Sequence, residues 1–377
     1  MKKTILYILD YYTPHKGWVE TVFEHVIPGV VAQGYQVVVL TSQFDVSLPV
    51  YEDNDSVHIY RIAAGRKWFQ WKAIWMWLRL CRKYDISFIH TTTYGGAFPS
   101  WIVGFFAQKK VLLTVHEIFG SIWFILKPWY KALFYRFFEW CIFHLSFDHY
   151  HCVSTYTLNT LRVVYGVSDS KISRIYNGVN SAFWSKDAVS RTRIKQRKQK
   201  YQRDNRFVIG YYGHSGSSKW LDYLVDWIKR TIEMYPDALF VFNLIHAQRD
   251  KYMKRYIQSL KLHKNVQIYS GFSSDDLRTF VASVDVMVAP SLSEGFGFVH
   301  AETSCMETSL ITTNVASIPE VVWWSVKFIS PQSSSQIVDA IQEYREKWFA
   351  LYPRQSFSWK DSIDSILSLY DLLLKNK

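Results

Sequence analysis

Cysteine is scarce in this chain of 377 residues, which has only Cys81, Cys141, Cys152 and Cys305. They stand far apart, without metal-ligand spacing or a paired framework, which argues against a disulfide scaffold and a zinc ribbon and fits a reducing compartment. No apolar run reaches the roughly 18 to 20 residues that a membrane-crossing helix needs. The N-terminus lacks the charged, apolar, small-residue order of a secretory signal, so the expected location is the cytoplasm. Short-period repeats, low-complexity tracts, a nucleophile elbow, a Walker lysine loop and a cysteine-histidine ligand set are all missing. Asp53-Asn54-Asp55 has an Asp-x-Asp spacing, but it lies in a polar loop remote from other candidate residues. It reads as a surface turn, and no metal is expected.

What is present is apolar and aromatic bulk. Hydrophobic residues make up 49 % and aromatics 18 %, enough at this length for two buried cores and hence two domains. The net charge of +12 is concentrated: residues 191–206 hold eight Lys/Arg against Asp204, and residues 66–83 hold six with no acid, leaving the remainder near neutral. Without aromatic stacking platforms, the first segment reads as a solvated linker and not as a nucleic-acid arm. The second can form a helix with Lys72, Arg79 and Lys83 on one face and Trp68, Trp71 and Trp75 along its flank. Such a helix can pack on a sheet or sit in a membrane interface, and both readings stay open. A further aromatic stretch, 122–147, is expected to be mostly core with an exposed edge.

Period and punctuation predict alternating strands and helices. Thr4 to Leu9, a helix from Trp18 to Ala32, and Gln36 to Thr41 form one βαβ unit, and the rhythm continues to residue 154. It restarts at Phe207 after the basic stretch. The expected architecture is α/β, with two doubly wound parallel sheets: 1–185 as an N-terminal domain, 186–206 as linker, 207–355 as a second domain, and 356–377 as a final helix.

The chemistry concentrates in residues 290–302, Pro-Ser-Leu-Ser-Glu-Gly-Phe-Gly-Phe-Val-His-Ala-Glu. A buried strand precedes them and a helix starts at Phe298, so Glu294 falls in the loop and Glu302 in the helix. Gly295 and Gly297, flanking Phe296, allow positive φ and close approach to a ligand, and the free N–H groups of the helix start favour phosphate. Carboxylates repel phosphate, so Glu294 and Glu302 suit sugar and ribose hydroxyls. A second strand-to-helix turn, residues 209–219, runs through small residues to Lys219, a cation suited to a departing diphosphate.

The 290–302 segment, with Gly271-Phe272, Asp285 and Ile318-Pro319-Glu320, resembles the Glu-x7-Glu signature of family-four retaining glycosyltransferases of the GT-B fold. The resemblance implies two Rossmann-like domains facing a cleft and transfer of a sugar from a nucleotide-sugar, with no cofactor, to an acceptor hydroxyl. It gives Glu302 the ribose, Glu294 the donor sugar, Lys219 and His214 the diphosphate, and Gly17 a place in the first glycine loop. A lone histidine closing a strand, as His116 does, is more often structural; the resemblance places it beside the reacting sugar. His90 is a lesser candidate, and Asn177-Gly178 a turn near the hinge. His214 stands where relatives usually carry arginine, and Trp18 replaces the usual second glycine. The basic, tryptophan-rich helices of the first half point to a glycan or lipid-linked acceptor, with peripheral membrane contact through 66–83. Rival readings are a non-catalytic nucleotide-sugar-binding protein and an epimerase or hydrolase.

Overall fold

The computed structural model describes residues 3–63, 66–201, 206–214, 216–219, 224–245, 255, 258 and 262–375. The chain divides into two compact units, 1–178 with 357–377, and 179–356.

In unit 1 the strands are β1 (Thr4–Leu9), β2 (Gln36–Ser42), β3 (Tyr51–Asn54), β4 (Val57–Ile62), β5 (Ile86–Thr92), β6 (Val111–Val115), β7 (His149–Cys152) and β8 (Ile172–Arg174). They form one sheet in the order β3-β4-β2-β1-β5-β6-β7-β8. All pairs are parallel except β3 with β4. The strand Thr-Ile-Leu-Tyr-Ile-Leu of β1 is buried at every position, as a central parallel strand covered on both faces must be.

The helices are α1 (Trp18–Ala32), α2 (Arg66–Lys83), α3 (Ala97–Ala107), α4 (Trp123–Leu126), α5 (Trp129–His144) and α6 (Thr155–Tyr165). Side chains of α2, α3, α5 and α6 join one cluster with Leu6, Ile8, Val38 and Leu113, so these four helices cover the same sheet face. The C-terminal helix Trp359–Lys375 lies with α1 on the other face. Gly29 makes that approach possible: a Cβ there would meet Ile363 Cγ2 at 2.7 Å. Tyr370 of the same helix shares a 2.6 Å hydroxyl contact with Tyr7 and another with His90 Nδ1. Gly178 of the Asn-Gly turn abuts the Trp359 backbone, where a Cβ would come within 2.4 Å.

Unit 2 has β9 (Phe207–His214), β10 (Ala238–Ile245), β11 (Val266–Ser270), β12 (Val286–Ala289), β13 (Ser309–Thr313), β14 (Trp324–Ile329) and β15 (Leu351–Tyr352). Their order is β11-β10-β9-β12-β13-β14-β15, parallel except for β15. The strand order reverses at β9 and β12, the switch point where ligands of doubly wound sheets bind. The helices are α7 (Arg191–Tyr201), α8 (Leu224–Met234), α9 (Ser274–Val281), α10 (Phe298–Cys305), α11 (Ile318–Val321) and α12 (Ser334–Glu346).

Three readings of the sequence are corrected here. The stretch 186–206 contains the helix α7 and is not a free linker. Tyr201 is buried, Arg197 donates to Asp276 at 2.9 Å, and its guanidinium lies 5.2 Å from the Phe272 ring centre. Polar helices show weak periodicity, and here long basic side chains do the packing. Residues 122–147 are not mostly core: Phe124, Ile125, Trp129, Phe134 and Phe137 are 48–70 % exposed. Asp53 and Asn54 end β3 and are not simply a turn, with Asp53 Oδ2 accepting from Tyr51 at 2.9 Å and Oδ1 lying 3.1 Å from His58. Among the described residues no helix is long and apolar enough to cross a membrane.

Candidate active site

In unit 2 two strand-to-helix turns meet beside the switch point. The loop after β12 reaches α10 through Gly297, whose φ of +90° is left-handed and unfavourable for a residue with a side chain. A Cβ there would also stand 3.0 Å from His300 Nδ1. Leu292 N donates to Ser218 O at 2.7 Å, stitching this loop to the 3-10 turn Ser217–Lys219 that follows β9.

That stitch brings Lys219 onto Glu294, and the two form an ion pair. Ser291 Oγ donates to the same carboxylate oxygen at 2.7 Å, and His300 Nδ1 lies 4.0 Å away. Burial pushes the Glu294 carboxyl up, but Lys219, His300 and the hydrogen bonds from Lys219 and Ser291 outweigh it, so the group titrates below its ordinary range. The loop backbone is fixed as well, since Ser317 Oγ donates to Glu294 O at 2.9 Å. Phe296 is buried, 5.2 Å from the Phe298 ring, and Gly295 is buried beside it.

Glu302 sits one helical turn further on and is treated differently. Tyr212 of β9 donates to its Oε2 at 2.7 Å, the one side-chain partner found for it among the described residues. Burial raises its pKa to about 8 against the lowering by Tyr212, so at neutral pH the group is mainly protonated. A half-buried carboxyl with spare hydrogen-bonding capacity can give and take bonds with a diol.

Tyr212 and His300 were not singled out from the sequence. His300 is fully buried, with Nε2 3.0 Å from Thr312 Oγ1 and no hydrogen-bond partner for Nδ1. Burial holds it near 4 despite Glu294, so it is neutral. Its place between the two glutamates on the α10 face toward the loop was the signal available. The His214 side chain lies outside the described residues; its backbone ends β9.

In unit 1, His116 follows β6 and borders a cavity of about 250 Å³ shared with Asp10, Glu20, Tyr94, Glu117 and Phe119. Its Nε2 is shielded from solvent and has no hydrogen-bond partner. Burial, then His151, lowers its pKa to about 3, which makes it a neutral hydrogen-bonding group and not a proton carrier. Gly17 caps α1 in extended geometry, and a Cβ there would lie 2.2 Å from Glu20 Oε2, so the Glu20 carboxylate would have to move aside. Glu20 in turn contacts His15 Nδ1 at 3.1 Å. His90 is not in this cavity's wall; it is buried between Tyr370 and Thr114.

The wall of the cavity is held by a residue the sequence did not mark. Glu139 of α5 is fully buried and accepts from six donors: Tyr94 OH (2.9 Å), Phe119 N (2.9 Å), Gly120 N (2.9 Å), Trp123 Nε1 (3.1 Å), Tyr165 OH (2.7 Å) and Arg136 (3.4 Å). Among the described residues, no group of three or more His, Cys, Asp or Glu is placed to hold a metal ion.

Comparison with known proteins bears on the two units and their fold. Residues 18–183 match the model of Glycosyltransferase Family 4, and residues 192–355 match that of Glycosyl transferases group 1. An uncharacterized glycosyltransferase of Methanocaldococcus jannaschii is 22 % identical over 92 % of both chains. The GPI3 subunit of phosphatidylinositol N-acetylglucosaminyltransferase from Saccharomyces cerevisiae is 22 % identical over 97 % of this chain and 79 % of its own. Among solved structures, Anabaena HepE in complex with UDP superimposes with a TM-score of 0.71 at 15 % identity, covering 99 % of this chain and all of that one. The two parallel α/β units have the GT-B fold. With both units matched by glycosyltransferase family models, the chain belongs to the glycosyltransferases of that fold.

Proposed function

We propose that the chain is a retaining, metal-independent hexosyltransferase that moves a sugar from a nucleotide-sugar to a hydroxyl of a glycan or lipid-linked acceptor in envelope polysaccharide synthesis. The observation that carries this reading is the stitched pair of turns in unit 2, which puts the Lys219 ammonium, the Glu294 carboxylate and the backbone at the start of α10 together, with Glu302 a turn behind. Lys219 and the N–H groups at a helix start are suited to a departing diphosphate without a metal ion. Glu302, hydrogen-bonded to Tyr212, takes the ribose diol, and Glu294 takes hydroxyls of the transferred sugar. His116, neutral and with a free ring nitrogen, hydrogen-bonds the sugar near the reacting carbon. The departing phosphate accepts the acceptor's proton on the same face of the sugar, so the protein supplies position and charge more than a base.

Names among the relatives support the substrate classes: HepE was solved with UDP, and the yeast relative is named for transfer to phosphatidylinositol. On this reading the protein works at the inner face of the membrane, touching it through residues 66–83, where Trp68, Trp71 and Trp75 are 55–73 % exposed.

The test is thermal stability against a panel of nucleotides and nucleotide-sugars, because a ligand bound only by the folded state raises the melting temperature. A selective shift by one donor, lost in Glu302→Ala and unaffected by a chelator, is the expected outcome. Product anomeric configuration by NMR then checks retention. No shift by any member at millimolar concentration overturns the reading.

A further inference from the structure

Helix α5 is apolar on two sides, but only one of them is covered. Ala132, Ile142 and Phe143 enter the core with Glu139. Opposite them, Trp129, Tyr130, Leu133, Phe134, Phe137 and Trp140 are 46–70 % exposed. At 100° per residue these six side chains fall in an arc of about 140°, with exposed Lys131 beyond one edge, while Arg136 beyond the other turns inward to Glu139 and Tyr165. Phe124 and Ile125 of α4 extend the apolar patch, and exposed Lys127 extends the basic margin. The helix cannot roll to hide this face, because five donors from outside it, on Tyr94, Phe119, Gly120, Trp123 and Tyr165, hold Glu139 and fix its rotation from the buried side. Exposed apolar surface of this extent on a soluble unit marks a binding face.

Charge selects the occupant. Between residues 86 and 147 the only acids are Glu117 and Glu139, and neither lies on the aromatic arc. A second copy docked about a two-fold axis would set basic margins against each other. An anionic lipid leaflet meets both features, taking Trp, Tyr and Phe rings at headgroup depth and lysines against phosphate.

We propose that the exposed face of α4 and α5 is a seat for an anionic bilayer, and the main one, with α2 secondary. This goes beyond the contact through residues 66–83 and does not depend on which donor is used. It also places the cavity wall at the leaflet: Phe119 lines the His116 cavity and packs with its ring centre 4.6 Å from that of Trp123 of α4. A lipid-borne acceptor would therefore present its head to that cavity without leaving the membrane.

The experiment is co-sedimentation of the full chain with phosphatidylcholine vesicles, with and without phosphatidylglycerol, at low and high salt. Binding should require the anionic lipid and weaken with salt. The combined variant Trp129→Ser, Phe134→Ser, Phe137→Ser should lower partitioning by about tenfold or more, at unchanged melting temperature and unchanged nucleotide-induced shift. Trp68→Ser with Trp75→Ser should lower it less. Wild-type indifference to phosphatidylglycerol, undiminished binding by the triple variant, or a dimer that this variant dissolves while vesicle binding persists would each overturn the proposal. The nucleotide shift is scored separately, so a failed donor reading leaves this result standing.

Discussion

Glu139 in unit 1 and Glu302 in unit 2 are both helix-borne carboxylates kept from bulk water, and their surroundings differ in kind. Glu139 is sealed and accepts from six donors, Arg136 among them. Glu302 is half-buried, accepts from Tyr212 alone among the described residues, and has its pKa raised to about 8 by burial. A carboxylate whose lone pairs are all used serves the fold. One held out of water with capacity unspent is costly to the fold and is explained by a ligand that completes its shell.

The largest expected effect breaks the comparison on its structural side. Glu139→Ala takes the shared acceptor from two backbone N–H groups, two hydroxyls, an indole and a guanidinium, of which Tyr94 keeps Glu117 O and Arg136 keeps Tyr165, and should cost about 3 to 5 kcal/mol of stability, measured by urea denaturation. It should also loosen the loop bearing Phe119 and Gly120. A loss below about 1 kcal/mol would mean that the six bonds are incidental.

Next comes Glu294, which stands between the two extremes: it is paired with Lys219 and Ser291, and it faces the loop assigned to the donor. Glu294→Gln removes the charge and keeps the shape. Turnover should fall about a hundredfold, roughly 2.7 kcal/mol in the barrier, while nucleotide affinity changes by less than about threefold. Equal losses in affinity and turnover would assign Glu294 to nucleotide binding and remove the distinction from Glu302.

How much of this was legible in the sequence depends on how local each signal is. Glu294, Gly297 and Glu302 sit within nine residues, so turn chemistry and helix period expose them together. The two sheets follow from strand-helix alternation for the same reason. Glu139 was not legible, because its partners are spread from Tyr94 to Tyr165 and only folding collects them. Tyr212 comes to Glu302 across 90 residues. The exposed face of α5 was hidden by the lack of contrast: a helix apolar all round gives no sign of which side meets solvent. Helix α7 failed in the opposite way, since Arg-Thr-Arg-Ile-Lys-Gln looks solvated on every side.

The smallest effect sharpens the ligand side. Glu302→Gln should match the wild type in stability near pH 5 and exceed it at neutral pH, because the folded carboxyl there keeps a proton that the unfolded chain has lost, and should weaken nucleotide binding by about tenfold. The pH dependence fixes the sign. A carboxyl whose folded pKa is raised from 4.5 to about 8 holds its proton in the folded state after the unfolded chain has lost it. Its contribution is therefore fully present below the unfolded value and declines as pH rises toward 8. Melting temperature measured from pH 5 to 8 should fall more steeply in the wild type than in Glu302→Gln. If the ribose diol is taken by the ionised form, nucleotide binding will also release protons, visible as calorimetric heats that vary with buffer ionisation enthalpy and lose that variation in the variant. Parallel melting curves and buffer-independent heats would mean that Glu302 is ionised before ligand arrives, and that its single donor is enough.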